Sequence, residues 1–222
     1  MFDIDGTLID GGGSGRAAME LAFAEIVGDD TALPRVRFSG MTDPGIVRAG
    51  LRLLGGDPEH DAGIIARVLE HYLARLPAVI AASPRFAVHK GVRARLAELA
   101  TRDRVAIGLG TGNLEPGARL KLTPIELVDA FAFGGYGSDH EDRAELLAIG
   151  ADRGAATLGC ARADCRVVII GDTPKDVAAA QAIGAESIAV ATGLFTVDEL
   201  RETGATMVVP DLEHDDARSF LA

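Results

Sequence analysis

The sequence predicts an α/β fold, a doubly wound parallel sheet core interrupted by an inserted helical subdomain. Three observations carry this expectation. From Lys90 onward, short apolar runs alternate with helical segments, the pattern of parallel βαβ units. Val167-Val168-Ile169-Ile170 is apolar without alternation, as a strand covered on both faces must be. Residues 11 to about 88 instead have helical periodicity, with no clear strand. The expected division is therefore 1–10 and 89–222 for the core, and 11–88 for a helical insertion after the first strand.

In order, Gly11-Gly12-Gly13-Ser14-Gly15 reads as a flexible linker and hinge. A helix is expected over 16–27, ended by Gly28-Asp29-Asp30, followed by a loop at 38–42. A second helix should start at Pro44 behind an Asp43 cap and run to about Leu54. A third should start near Asp57-Pro58 and reach about Leu76, with Pro77 and Pro84 preventing its continuation. The core then reads as helix 91–101, strand 105–109, helix 113–123, strand 131–135, helix 141–158 and strand 166–170. Helix 174–184, strand 186–191, helix 197–203 and strand 207–209 complete it. Only Met1 and Phe2 precede Asp3, so the central strand reads as cut short and the native chain is expected to begin upstream of Met1.

The chemistry concentrates at strand ends. Asp3 and Asp5 are two residues apart and share a face of the opening strand, just before Gly6-Thr7. Strand 105–109 leads to Thr111, and strand 167–170 leads to Asp172. Three strand ends thus bring polar groups to one edge, where open α/β sheets bind ligands. Of two such carboxylates, one can act as a nucleophile, and the other can share a proton with a leaving oxygen if its pKa is raised. Two unit charges about 4 Å apart repel by about 4 kcal/mol at an effective dielectric of about 20, which a divalent cation would offset.

Composition narrows the function classes. The 222 residues carry a net charge of −11, which argues against a general nucleic-acid or anionic-membrane surface. An anionic substrate must therefore be drawn by local groups. No run reaches the length of a membrane span, and no signal-peptide pattern opens the chain. Cys160 and Cys165 are too few for a disulfide framework and read as reduced, which fits a cytoplasmic setting.

Three segments carry a family resemblance. Asp3-Ile4-Asp5-Gly6-Thr7 resembles the first signature of the haloacid dehalogenase (HAD) superfamily. Leu109-Gly110-Thr111-Gly112-Asn113 is similar to the second, and Gly171-Asp172-Thr173-Pro174-Lys175-Asp176 to the fourth. Their order spans the whole chain, and a helical cap after the first strand fits the same group, that of phosphoglycolate phosphatase and β-phosphoglucomutase. The resemblance implies a HAD-like fold and phosphoryl transfer. Asp3 would be the nucleophile and Asp5 the general acid and base. Mg²⁺ would be held by the carboxylates of Asp3 and Asp172 and the carbonyl of Asp5. Asp176, a helical turn on, would orient the site. Thr111 with the N–H groups of Gly112 and Asn113 would hold phosphoryl oxygens.

The sequence departs from the family at the third signature, a lysine. None follows strand 131–135, and Arg143 stands near the start of the next helix instead. It is the expected replacement; Lys121 is the second choice, placed on the outer side of helix 113–123. In the insertion, Ser39-Gly40-Met41-Thr42-Asp43-Pro44 is the expected substrate-reading loop, with Thr42, Asp43 and Arg48 as its candidates. The five histidines have no ligand spacing. The implied activity is Mg²⁺-dependent hydrolysis of a small phosphorylated metabolite, most like the phosphoglycolate-phosphatase group. A β-phosphoglucomutase-type mutase and a non-catalytic phospho-ligand binder are the alternatives. A phosphonatase would need a lysine in the cap, and residues 11–88 contain none.

Overall fold

The computed structural model describes residues 1–56 and 62–221. Its core is the expected parallel sheet. Strands β3 (Gly108–Thr111) and β4 (Phe133–Tyr136) pair in parallel, as do β5 (Val168–Gly171) with β6 (Glu186–Val190) and β6 with β7 (Met207–Val209). The opening segment joins the two halves. Phe2 bridges both Leu109 and Ile170 in parallel: its N–H donates to the Gly108 carbonyl, its carbonyl accepts from the Gly110 N–H, and the flanking Met1 and Asp3 bond Ile170. Asp3 therefore leaves the middle of the sheet between β3 and β5, with Thr111 and Asp172 at the ends of its neighbours.

Helices cover both faces. Val92, Leu96 and Leu99 of α4 (Val92–Ala100) and Ala118 and Leu122 of α5 (Glu115–Leu122) pack with Phe2, Leu109 and Ile170. On the other face, Leu146 and Leu147 of α6 (Arg143–Leu158) and Ala179 and Ala180 of α7 (Pro174–Ala182) pack on Ile169. Two short helices complete the chain, α8 (Val197–Arg201) and α9 (Asp215–Phe220), the latter absent from the sequence expectation. The strands begin and end up to three residues later than expected at β3, because the pairing partner there is Phe2, which meets Leu109 rather than Val105.

Residues 14–82 form a separate apolar body. Met19 and Phe23 of α1 (Ser14–Val27), Ile46, Val47 and Leu51 of α2 (Asp43–Leu53), and Val68, Tyr72 and Leu76 of α3 (Ala62–Ala82) make one buried cluster. Four local expectations are corrected. Helix α1 starts at Ser14, so only Gly11 to Gly13 form the glycine connection. The N-cap of α2 is Thr42, whose Oγ1 accepts from the Gly45 N–H, while Asp43 is the first helical residue. Helix α3 runs through Pro77, because Leu76 and Ile80 are anchored in the buried cluster, and that packing outweighs the roughly 3 kcal/mol an interior proline costs. The expected start of this helix at Asp57-Pro58 lies outside the described residues. Finally, the segment is not strandless. Strand β1 (Ile9–Asp10) pairs antiparallel with β2 (Ala87–Val88), tying the two connections of the insertion into one short ribbon. Cys160 and Cys165 are free thiols. No described helix is long and apolar enough to cross a membrane.

Candidate active site

Asp3, Asp172 and Asp176 converge beyond the carboxyl ends of the strands, each offering a carboxylate oxygen within 4.8 Å of the others, and all three are buried. Local sequence explains each position. The chain turns sharply after Asp3, with Leu8 and Ile9 both donating to the Ile4 carbonyl. Gly6 makes that turn at a positive φ of 82°, and any Cβ there would collide with the Asp172 carboxylate. Thr7 Oγ1 donates to Asp172 Oδ1 at 3.1 Å. Thr173 caps α7 in a reciprocal box with Asp176, whose Oδ2 accepts from both the Thr173 N–H (3.0 Å) and Oγ1 (2.6 Å).

Arg143, first residue of α6, enters this cluster. Its Nη2 lies 3.0 Å from Asp3 Oδ2 and 2.5 Å from Asp176 Oδ1. One guanidinium thus makes ionic contact with both acids. Burial pushes the Asp3 carboxyl up, Arg143 opposes it, and Asp176 and Asp5 add to it, leaving Asp3 at about 6. Burial, then Asp176 and Asp3, push Asp172 to about 8.

Asp5 belongs to a second cluster. Lys121 Nζ donates to Asp5 Oδ2 and to Asn113 Oδ1, both at 2.6 Å. Asn113 Nδ2 donates to Asp5 Oδ2 at 2.9 Å and to Thr111 Oγ1 at 2.8 Å. Lys121 is buried, not on the outer side of its helix as expected. Burial pushes Asp5 up, but Lys121 and Asn113 outweigh it and hold the carboxyl below its ordinary value. The two carboxylates are thus tuned opposite to expectation: Asp3 is the raised one and Asp5 the firmly ionised one. The reason is their partners, since Asp3 shares one guanidinium with other acids while Asp5 has an ammonium and an amide.

The remaining expected residues divide. Asp43 is buried and lines the site, its Oδ2 accepting from the Leu114 N–H at 2.9 Å and its own N–H donating to the Gly112 carbonyl at 2.8 Å. Burial pushes it to about 6 against the pull of Lys121. Thr42 is not brought to the cavity; its hydroxyl lies in the seam between the insertion and the core, where it donates to the Glu141 carbonyl at 3.2 Å. Arg48 pairs with the Glu141 carboxylate in the same seam. Gly112 lies against the backbone of Met41 and Thr42, with no room for a Cβ.

Two features went unread in the sequence. Tyr72 of α3 lines the cavity beside Lys121 and Asp43, and burial pushes its phenol well above the ordinary range. Thr192 and Gly193 lie just past β6, and Thr192 Oγ1 donates to the Gly6 carbonyl at 2.6 Å. The strand-end pattern that found Thr111 and Asp172 applies to them equally.

These groups surround a cavity of about 810 Å³ between sheet and insertion. Arg16, Arg37, Arg85, Lys121 and Arg143 line it together with Asp3, Asp5, Asp10, Asp43, Asp172 and Glu199, so an anion is drawn by individual cations and not by a net positive lining. A smaller cavity of about 470 Å³ lies away from these carboxylates, near Met1, Val105 and Cys160. The three clustered acids, two with raised pKa values, are a hard-oxygen donor set suited to a divalent cation such as Mg²⁺.

Residues 148–214 match the HAD-hydrolase-like family. No curated protein matches the chain in sequence. Among solved structures, the chain is similar to a predicted phosphatase from Clostridium acetobutylicum, with 18% identity, a TM-score of 0.72, and coverage of 100% of this chain and 97% of that one. It is similar to β-phosphoglucomutase from Clostridium difficile, with 16% identity, a TM-score of 0.70, and coverage of 99% and 94%. It is also similar to CbbY from Rhodobacter sphaeroides, solved in complex with xylulose-(1,5)bisphosphate, with 19% identity, a TM-score of 0.70, and coverage of 95% and 92%. At these identities the likeness establishes the fold.

Proposed function

We propose that this chain, whose fold is that of the haloacid dehalogenase superfamily and whose residues 148–214 match its hydrolases, is a Mg²⁺-dependent phosphatase of small phosphate monoesters, phosphoglycolate-phosphatase-like, working through an aspartyl-phosphate on Asp3. The observation that carries the reading is the pairing of two differently tuned carboxylates, Asp3 and Asp5, beside a buried acid cluster and two buried cations.

Asp3 attacks phosphorus, the ester P–O bond breaks, and the leaving oxygen takes a proton from Asp5. Water then attacks the aspartyl-phosphate while Asp5 takes a proton back, releasing inorganic phosphate and restoring Asp3. Asp5 is ionised beside Lys121, so its proton arrives with the substrate monoanion or on closure of the helical insertion, which we read as a cap over residues 11–88. Thr111, Asn113, Lys121 and Arg143 hold the phosphoryl oxygens. The carboxylates of Asp3 and Asp172, with the Asp5 carbonyl, would hold Mg²⁺, and Asp176 would fix Arg143. When bound, the cation supplies charge neutralisation at the phosphoryl oxygens and lowers the pKa of Asp3.

The test is phosphate release from a panel of small monoesters with and without Mg²⁺, with Asp3→Asn as control. Release requiring both supports the phosphatase; release that survives in Asp3→Asn overturns the assigned nucleophile. The similarity to β-phosphoglucomutase keeps a second reading, a phosphoryl-transferring mutase. Hexose 1-phosphate separates the two, giving an isomer for a mutase and inorganic phosphate for a hydrolase.

A further inference from the structure

Among the described residues, three polar atoms around the hinge of the insertion are buried without a hydrogen-bond partner: Ser14 Oγ, Ser83 Oγ and His89 Nε2. An unpaired buried donor or acceptor costs about 1–3 kcal/mol, so such atoms are normally satisfied. Ser14 and His89 both line the 810 Å³ cavity. Ser14 is only 1% exposed. Its hydroxyl borders the same space as Asp5: the position a Cβ would take on Gly11 is 3.4 Å from Asp5 Oδ1 and 3.6 Å from Ser14 Oγ. Ser14 and Asp5 therefore flank Gly11 on the same side, which sets the unpartnered hydroxyl close to the carboxylate that serves the leaving oxygen. Arg37 and Arg85 line the same cavity, are exposed, and form no ion pair among the described residues. Arg16, by contrast, is tied to Glu20 and to the carbonyls of Leu33 and Val36.

We infer that the hinge end of the cavity is a leaving-group subsite for a short carbon chain that carries a hydroxyl beside the ester carbon and a second anionic group at its far end. Ser14 Oγ and His89 Nε2 take the hydroxyl, and Arg37 with Arg85 take the anion as charge-assisted partners. This rests on the phosphatase reading for the placement of the phosphoryl end at Asp3. It adds what that reading leaves open, the chemistry of the alcohol.

Four three-carbon esters test it: propyl phosphate, 1-phosphopropan-2-ol, 3-phosphonooxypropanoate and 3-phosphoglycerate. They differ only in the hydroxyl, the carboxylate, or both. The expected kcat/KM rises a few-fold for the carboxylate, the scale of exposed ion pairs, and severalfold for the hydroxyl, the scale of one buried neutral hydrogen bond. Ser14→Ala removes the increment for the hydroxyl, and Arg37→Ala with Arg85→Ala removes that for the carboxylate. Propyl phosphate turning over as well as 3-phosphoglycerate overturns the inference, as do increments that persist in these variants. Calorimetric binding of the same four esters to Asp3→Asn protein with Mg²⁺ gives a readout independent of turnover. Graded binding with no turnover in the wild type would sink the phosphatase and leave the subsite standing; equal binding of all four would sink the subsite.

Discussion

Arg143 Nη2 stands 3.0 Å from Asp3 Oδ2, with both side chains only 8% exposed, and the same nitrogen reaches Asp176. One guanidinium is therefore the counter-ion of two buried acids. Removing it strands both, and breaking a buried pair costs about 3–5 kcal/mol. Arg143→Met should lose at least about a hundredfold in kcat/KM and unfold at lower temperature, with the stability loss largest at alkaline pH, where the stranded acids cannot escape by taking protons. Arg143→Lys should recover part of both. Activity of Arg143→Met within a few-fold of wild type would remove the residue from the phosphoryl site.

The acid cluster sets how stability depends on pH. Asp3 and Asp43 are raised from 3.8 to about 6 and Asp172 to about 8. A carboxyl with a raised folded pKa holds its proton longer in the native state than in the unfolded one. Its contribution is full below the unfolded pKa and is lost as pH rises through the folded value. The chelator-treated protein should therefore melt lower at pH 8 than at about pH 5.5. Mg²⁺ at about a hundred times its dissociation constant should restore about 2.7 kcal/mol at pH 8. Asp172→Asn should show little of that Mg²⁺ effect. A melting temperature that climbs steadily to pH 8 without metal would contradict the cluster's tuning. Thermal scans across pH, with and without Mg²⁺, decide it.

Lys121 acts on the other carboxylate. Its ammonium is the main force holding Asp5 ionised, against burial. Lys121→Met should let the Asp5 pKa rise, moving the acidic limb of the kcat/KM profile to higher pH, with a loss of roughly a hundredfold at neutral pH. Arg143→Met should move that limb upward as well, through Asp3, whose carboxyl Arg143 holds down, and more weakly through Asp5. A Lys121→Met profile that overlays the wild type would separate Lys121 from Asp5 chemistry.

The difference between Lys121 and Arg143 also marks how far the sequence could be read. Asp3, Thr111 and Asp172 were legible because each ends an apolar strand, and parallel topology forces such ends to one edge. Arg143 was legible as the first cation after β4. Lys121 was not, because its side of α5 is decided by how the helix packs. Even so, the spacing of four from Asn113 through Gly117 to Lys121 puts all three on one face. The opposed tuning of Asp3 and Asp5 arises from that packing and was equally unreadable. The ribbon of β1 and β2 is two residues long on each side, too short for any alternation to register. Tyr72 sits among apolar neighbours at helical spacing, and nothing in that pattern separates a core position from a cavity wall.

Asp43 joins the helical insertion to the core through two backbone bonds, one from its own N–H to Gly112 and one to its carboxylate from the Leu114 N–H. No side chain of Leu114 caps α5; Ser138 Oγ accepts from the Glu115 N–H at 3.2 Å, and Asp43 fixes the N-cap residue itself from across the seam. Losing such a cap costs about 0.5–2 kcal/mol. Asp43→Ala should therefore speed amide exchange at Leu114 by at least severalfold and lower kcat/KM, since α5 carries Lys121. Asp43→Asn keeps an acceptor for the Leu114 N–H but discards the charge beside Lys121. It should protect Leu114 nearly as well as wild type, while flattening the part of the stability profile between about pH 4 and pH 6 that Asp43 contributes. If the two variants exchange alike at Leu114, the carboxylate does not protect it, and the insertion is held to the core by the Asp43 N–H bond to Gly112 and the Thr42 and Arg48 contacts to Glu141.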